Sequence, residues 1–334
     1  MPAGQFPLVR KRRIRRSEAM RDLVAEHRLA VSQLVAPLFV AEGENLSESV
    51  PGLPGLYRLS VDRLIDEVKS LRTLGIRAVL LFAKVSEDQK DNTGVSALDP
   101  NGLLPRAIKA LKTTVPDMVV MSDIALDPYS SYGHDGLVEL DNRGEGNILN
   151  DETNAILGEM AVLHARCGAD MVAPSDMMDG RVRAIRQALE AAHYTRTGIM
   201  AYSAKYASNY YGPFRAVLDS APGFGDKKTY QMDPANGREA VAEARLDEAE
   251  GADIVMVKPG QPYLDILWRV REAVQIPVAV YQVSAEYAML KLAAEKGWVD
   301  EKQAVLESLI GFRRAGADLI ATYFAADAAR WLNQ

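Results

Sequence analysis

The chain has 334 residues, a net charge of −6, four histidines and a single cysteine, Cys167. That length buries one large barrel core or two average domains. The acidic balance offers no broad attraction to nucleic acid or anionic membrane, the lone cysteine excludes an intramolecular disulfide and a multi-cysteine zinc site within one chain, and no apolar run approaches the ~20 residues that cross a bilayer.

Residues 1–30 read as an arm. Arg10-Lys11-Arg12-Arg13-Ile14-Arg15-Arg16 leads into a short helical pattern from Ser17 to Glu26. Beside an acidic remainder, this cluster reads as solvated or packed on a partner before it reads as a nucleic-acid patch. The N-terminus has no apolar signal core, so a cytoplasmic location is expected. The catalytic domain is expected over residues 31–334.

From Leu34 onward, short apolar runs alternate with helical patterns. The predicted strands are Leu34 to Val40, Ala78 to Ala83, Met118 to Ile124, Met171 to Ser175, Ile199 to Ala204, Ile254 to Lys258, Val278 to Val283 and Leu319 to Phe324. Between them run stripes of period 3.6, such as Val61, Leu64, Ile65, Val68 and Leu71, or Ile156, Met160, Leu163 and Cys167. Ser60 and Asp62 are placed to cap the first of these helices, and Gly75 to end it. A glycine recurs where helix gives way to strand, in Leu74-Gly75-Ile76, Cys167-Gly168-Ala169-Asp170, Glu250-Gly251-Ala252-Asp253 and Ala315-Gly316-Ala317-Asp318. Eight near-continuous apolar strands, each followed by a helix, predict a (β/α)8 TIM barrel with an extended N-terminal arm. An open doubly wound sheet is the rival, but no glycine-rich nucleotide loop follows the first strand.

In such a barrel the chemistry belongs at the C-terminal strand ends. The third strand runs through Asp123 to Asp127 and a polar loop with His134 and Asp135. The fourth ends at Ser175-Asp176, the fifth at Lys205, the sixth at Lys258, the seventh at Tyr281-Gln282-Val283-Ser284 and the eighth at Tyr323. Strands one and two bring only Glu42 and Lys84. Lys205 and Lys258 fall on neighbouring strands, whose axes lie roughly 5 Å apart. Two ammonium groups at about 5 Å in an effective dielectric near 20 repel by roughly 3 kcal/mol, which lowers one pKa by about two units before burial adds to it. A neutral amine near pH 7 to 8 attacks a ketone or aldehyde and forms a Schiff base. Asp123, Ser175 and Tyr281 are expected to ring the pair. Tyr210-Tyr211-Gly212-Pro213-Phe214-Arg215 reads as a loop rather than a helix. With Pro222-Gly223-Phe224-Gly225-Asp226-Lys227-Lys228 and Gln231 it reads as a lid, in which Arg215 and Lys227 suit a substrate carboxylate.

Five stretches carry a resemblance: Met256-Val257-Lys258-Pro259-Gly260, Ala173-Pro174-Ser175-Asp176-Met177-Met178-Asp179-Gly180-Arg181, Ser203-Ala204-Lys205-Tyr206-Ala207-Ser208, Tyr211-Gly212-Pro213-Phe214-Arg215 and Tyr281-Gln282-Val283-Ser284. Over almost its whole length the chain resembles the porphobilinogen synthase (5-aminolevulinate dehydratase) family. The resemblance implies a lyase that condenses two 5-aminolevulinate molecules into porphobilinogen with loss of two waters, in tetrapyrrole and heme biosynthesis. It implies that Lys258 forms the Schiff base with the substrate giving the propionate side and that Lys205 engages the one giving the acetate side. By the same likeness Tyr323 and Ser284 match the holders of the propionate-side carboxylate, and Arg215, Lys227 and Gln231 those of the acetate-side carboxylate. Many members have arginine where this chain has Lys227, so a point charge replaces a bidentate fork.

Zinc-dependent members carry cysteines where this chain has Ala125, Asp127 and Asp135. Hard carboxylates do not favour zinc over oxygen-loving cations, so no catalytic zinc is expected. An ion near Asp127 and Asp135 is allowed but not required. Glu243 matches the carboxylate that holds an allosteric Mg²⁺ between subunits in magnesium-stimulated relatives, though an exposed helix glutamate in i,i+4 pairs fits the sequence too. The resemblance also implies a homo-octamer whose arms wrap neighbouring barrels. Two other classes stay open on the residues alone: a keto-acid aldolase or dehydratase, which leaves Lys205 idle, and a nucleic-acid binder working through residues 10–16.

Overall fold

Eight parallel strands close on one another because each is apolar along nearly its whole length and tolerates burial on both faces. In the computed structural model, which describes residues 4–142, 146–218, 223 and 225–334 apart from the side chains of Arg215, Ala216 and Leu218, the strands are β1 (Leu34–Ala41), β2 (Ala78–Lys84), β3 (Val119–Ile124), β4 (Met171–Pro174), β5 (Gly198–Lys205), β6 (Ile254–Lys258), β7 (Val278–Gln282) and β8 (Leu319–Thr322). They pair in that order, and β8 returns to β1 with Leu34 opposite Ile320 and Val35 opposite Ala321. The barrel is therefore closed, as the eight-fold strand–helix alternation predicts.

The helices lay their apolar stripes on the outside of this cylinder. In Val61–Thr73, Leu64, Val68 and Leu71 are buried, and in Asn150–Arg166 Met160 and Leu163 are, with Cys167 just beyond the last turn. The four glycines at the helix-to-strand junctions all take positive φ, from +89° at Gly75 to +105° at Gly251. At Gly316 a side chain would meet a second obstacle, because a Cβ there would lie 2.6 Å from Arg271 Cγ. Among the described residues, no helix is long and apolar enough to cross a membrane.

Four features depart from the sequence expectations. Ser60 precedes its helix but does not cap it with its side chain. Its hydroxyl accepts from Leu46 N–H at 2.8 Å instead, because the hairpin of Ser47–Ser49 and Tyr57–Leu59 brings that donor alongside. This hairpin and a second one, Leu137–Leu140 with Gly146–Leu149, were not predicted. Strands of three or four half-exposed residues show neither an apolar run nor a long alternation. The strands expected to reach Val283 and Phe324 stop at Gln282 and Thr322, since Val283 and Phe324 become the N-caps of Ser284–Glu295 and Ala325–Leu332.

The largest departure is in the expected lid. Tyr210 to Arg215 is not a loop: a 3-10 turn, Asn209–Tyr211, runs into the helix Gly212–Leu218. Gly212 and Pro213 look like breakers in sequence, but proline in a first helical turn lacks only an N–H that would be unpaired anyway, and its fixed φ suits the helix. Ser208 caps the turn through Tyr210 N–H at 3.1 Å. Pro222 and Phe224 of the same segment lie outside the described residues, as does the Arg215 side chain.

Gly260, two residues beyond Lys258, lies against the fully buried ring of Phe312. A Cβ there would sit 2.6 and 2.7 Å from Phe312 Cε1 and Cζ and 3.1 Å from the Tyr281 carbonyl oxygen. Gly260→Ala should therefore destabilise the fold by about 1–3 kcal/mol through overpacking. A shift of the urea midpoint checks this, and an unchanged midpoint would show that the ring has room to move.

Candidate active site

The site begins with an irregularity between β5 and β6. Ala201 pairs with Val255, but the next pairs are Ala204 with Val257 and Lys205 with Lys258. β5 thus spends Tyr202 and Ser203 against Met256 alone, one residue more than its partner. A bulge of this kind re-aims the side chains beyond it. In unbroken register Lys258 would face Ala204; with the extra residue it faces Lys205. Both lysines are buried, with 5% of Lys258 and 7% of Lys205 exposed.

Their surroundings differ sharply. Lys205 Nζ donates to Asp135 Oδ2 at 3.2 Å and to the Ser175 carbonyl oxygen. Lys258 Nζ makes no ion pair among the described residues and lies instead 4.6 to 5.2 Å from the ring centres of Tyr281, Tyr202, Phe214 and Tyr211. Burial first, and the Lys205 ammonium second, bring the Lys258 pKa down to about 7. The sequence argument anticipated that value but led with repulsion, whereas desolvation is the larger cause.

The expected companions fall into two groups. Asp123 ends β3 beside the lysines, and its carboxyl is pushed up to about 7, first by burial and then by Asp127, while a hydrogen bond from Ser175 holds it back. Its Oδ1 is buried without a hydrogen-bond partner. Tyr281 donates to Tyr323 at 3.0 Å, next to Lys258. Ser284 accepts from Phe214 N–H at 3.0 Å and donates to the Tyr210 carbonyl at 3.3 Å, so the short helix Gly212–Leu218 and the turn before it close over this side of the mouth.

On the other side, Lys227 is only 6% exposed and donates to Asp135 Oδ1 at 2.7 Å, with Asp127 Oδ2 at 3.5 Å. Burial alone would raise the Asp135 pKa, but the ammonium groups of Lys205 and Lys227 outweigh it and hold it at about 2. Gln231 is buried nearby in sequence, with Oε1 unpartnered.

The donor set around Asp127 and Asp135 does not call for a metal ion. The Lys227 ammonium lies between the two carboxylates, and Asp135 already carries a second ammonium from Lys205. Among the described residues no three His, Cys, Asp or Glu side chains gather as metal ligands. Glu243 sits away from the lysines on the helix Arg238–Glu250, half-buried, and its carboxyl is raised to about 7 by burial and then by Asp247, with Asp179 and Glu239 adding to the rise.

Sequence reasoning missed Tyr202, Tyr211 and Phe214 as the walls of the Lys258 chamber. Tyr202 is three residues from Lys205, a spacing that puts side chains on opposite faces of a regular strand; only the bulge reconciles them. It also left Arg181 without a role. That side chain is buried and held by Asp247 through contacts of 3.1 and 3.2 Å and by Asp176 at 3.6 Å.

A closed parallel barrel with an amine whose pKa burial lowers to about 7 at its C-terminal mouth belongs with the barrel enzymes of carbonyl chemistry. Comparison with known proteins narrows the class. The model of the delta-aminolevulinic acid dehydratase family matches residues 8–331. A chloroplastic delta-aminolevulinic acid dehydratase of Physcomitrium patens is 54% identical over 330 residues, covering 98% of this chain and 75% of that protein. The delta-aminolevulinic acid dehydratase of Synechocystis is 50% identical over 328 residues, covering 98% and 99%. The crystal structure of delta-aminolevulinic acid dehydratase (porphobilinogen synthase) from Toxoplasma gondii ME49, in complex with the reaction product porphobilinogen, matches with a TM-score of 0.94 at 54% identity, covering 97% of this chain and 91% of that one. The chain belongs to the delta-aminolevulinic acid dehydratase family. Its function is porphobilinogen synthesis, a hydro-lyase reaction of tetrapyrrole biosynthesis.

The Lys258 environment fixes a pH dependence. Below its pKa of about 7 the amine gains a proton and loses its nucleophilic lone pair. Imine formation with 5-aminolevulinate, read by cyanoborohydride trapping, should fall about tenfold per pH unit below pH 7 and level off above it. A rate that is flat from roughly pH 5.5 to 8.5 would assign the attack to another group.

Proposed function

We propose that the chain condenses two 5-aminolevulinate molecules through two lysine imines, with Lys258 holding the propionate-side substrate and Lys205 the acetate-side one. The observation that carries this is the shared rung: two buried lysines, one charge-paired and one caged by aromatic rings. Lys258, whose pKa of about 7 leaves a substantial neutral fraction at pH 7, adds in that form to the ketone carbon of the first substrate. The carbinolamine loses hydroxide as water, and the resulting iminium withdraws electrons from the neighbouring carbon. Lys205 is ion-paired with Asp135, and a base must take the proton of that pair before the amine can add to the second ketone. Asp123, which shares its proton near pH 7, is the group proposed to exchange protons with the carbinolamine hydroxyls.

Carboxylate recognition follows the same two-sided layout. Ser284 and Tyr323, beside the caged lysine, are proposed for the propionate-side carboxylate. Lys227, Gln231 and Arg215 are proposed for the acetate-side one. Lys227 supports this by being a buried cation that an incoming carboxylate can share with Asp135. Ser175 and Tyr281 complete the substrate contacts.

Reduction with borohydride in the presence of 5-aminolevulinate should attach substrate to Lys258 and inactivate the enzyme. Peptide mapping decides: label found on Lys205 alone would reverse the assignment, and label on neither would end the double-imine reading.

The same reading places no catalytic metal between Asp127 and Asp135, and an allosteric Mg²⁺ at Glu243. A half-buried carboxyl crowded by Asp247, Asp179 and Glu239 favours a hard divalent cation. A contiguous route leads from it to the chemistry: Asp247 grips Arg181, Arg181 holds Asp176, and the neighbouring Ser175 gives its carbonyl to Lys205. After exhaustive chelation, activity should fall only to a lower, non-zero level and return with Mg²⁺. Glu243→Ala should keep that lower level and lose the Mg²⁺ response; an unchanged titration would reject the site.

The proposal includes a homo-octamer in the cytoplasm, with residues 1–30 reaching a neighbouring subunit and 31–334 forming the catalytic barrel. In support, the arm presents Phe6, Leu8 and Leu23 at 74%, 81% and 76% exposure in the isolated chain, beside its arginine cluster. Apolar side chains so exposed, next to charge, are suited to a protein contact.

A further inference from the structure

Glu286 has no part in the chemistry described above, yet it is a carboxylate only 1% exposed with no ion-pair partner among the described residues. Its three hydrogen bonds are all to backbone. Oε2 accepts from Val283 N–H at 2.7 Å and Gly260 N–H at 3.3 Å, and Oε1 accepts from Gln261 N–H at 2.5 Å. The bond to Val283 is one half of a helix capping arrangement, in which the third residue reaches back to the backbone of its own cap; Val283 has no side-chain acceptor to return it. The other two belong to a different element, the turn that leaves β6 directly after Lys258-Pro259.

Placing a carboxylate here costs free energy, since burial raises its pKa to about 7 against the pull of the three N–H groups. Helix capping alone does not demand it, because a glutamine in that position performs the same task. Three converging donors do. Two carboxylate oxygens accept all of them, whereas an amide offers one acceptor and turns an NH₂ toward the rest.

We propose that Glu286 is a positioning residue of the condensation: it ties the end of β6, which carries Lys258, to the start of the helix that carries Ser284. The distance between the imine-forming amine and the proposed carboxylate holder is thereby set by one side chain. Ser284 in turn meets Phe214 N–H and the Tyr210 carbonyl, so the clamp also fixes the seat on which the covering helix rests. This inference rests on Lys258 being the imine-forming lysine.

Glu286→Gln weakens the tie between the two elements whichever way the amide turns. With its oxygen in place of Oε1 it loses Gly260 and Val283, and with its oxygen in place of Oε2 it loses Gln261. Asp300→Ala is the reference variant. It removes a side-chain cap of similar kind, Asp300 to Gln303 N–H at 2.8 Å, at the start of Glu301–Arg314. For each full-length variant the measurements are the melting temperature, kcat and KM, and the single-turnover rate of reductive trapping on Lys258 at saturating 5-aminolevulinate.

Glu286→Gln should lose about 100-fold in kcat at a temperature where circular dichroism shows it folded, with a matching loss in trapping rate. Asp300→Ala should keep kcat within about twofold whatever it loses in melting temperature. If Glu286→Gln does not accumulate, Glu286→Asp serves. It keeps both oxygens and the charge but is one methylene shorter, and a loss of about tenfold in kcat and trapping is expected. A folded Glu286 variant that keeps wild-type kcat, or one that loses kcat while trapping on Lys258 runs at the wild-type rate, overturns the inference. Absence of trapping on Lys258 in the unmodified enzyme would instead strike the assignment of the first imine to Lys258, on which the inference rests.

Discussion

Two amines on one rung of a buried sheet cannot both stay charged without compensation, and the molecule compensates one of them. For two charges as close as adjacent strands, about 5 Å, an effective dielectric near 20 gives a repulsion of roughly 3 kcal/mol, of the same order as the cost of burying either charge. Asp135 resolves the conflict by pairing with Lys205 and leaving Lys258 to the aromatic rings. Equal carboxylate support on both sides would favour the protonated form of both amines. The aromatic walls around Lys258 matter for the same reason: they supply weak cation–π attraction and no hydrogen-bond acceptor strong enough to keep the proton.

The barrel was legible because parallel strands buried on both faces write themselves as unbroken apolar runs, and Gly75, Gly168, Gly251 and Gly316 punctuate the helices between them. The two small hairpins were not, since Ser47–Ser49 is exposed at every residue and pairs through backbone that any sequence provides. The helix Gly212–Leu218 was read as a loop for the opposite reason. Its signals were strong but ambiguous, because glycine followed by proline ends one helix as readily as it begins another. What decides is tertiary: Tyr211 and Val217 are buried, and Phe214 packs on Phe39 and Phe82 at ring separations of 5.8 and 5.4 Å.

Within the site, the charged residues stood out because charge at the end of an apolar strand is costly unless it is used, which singled out Asp123, Lys205 and Lys258. The aromatic chamber did not, since a buried tyrosine or phenylalanine in a barrel is more often core than wall. The bulge was equally hidden. Nothing in Gly198 to Lys205 marks an extra residue, yet that residue decides whether Lys205 or Ala204 faces Lys258. Adjacent strands were enough to suspect the pair; the shared rung came only with the pairing register.

Lys227 shows how one substitution is absorbed by its surroundings. The resemblance sets it where many relatives have arginine, and sets Asp127 and Asp135 where zinc-dependent relatives have cysteine. In the structure these departures meet: the Lys227 ammonium contacts both aspartates, at 2.7 and 3.5 Å. A compact point charge with three rotatable donors serves two carboxylates at different angles, where a planar fork matches one bidentately. The Lys227 ammonium is therefore a cation of the chain itself that both aspartates share. An ammonium shared among carboxylates can exchange one for another without ever being left bare in a buried place.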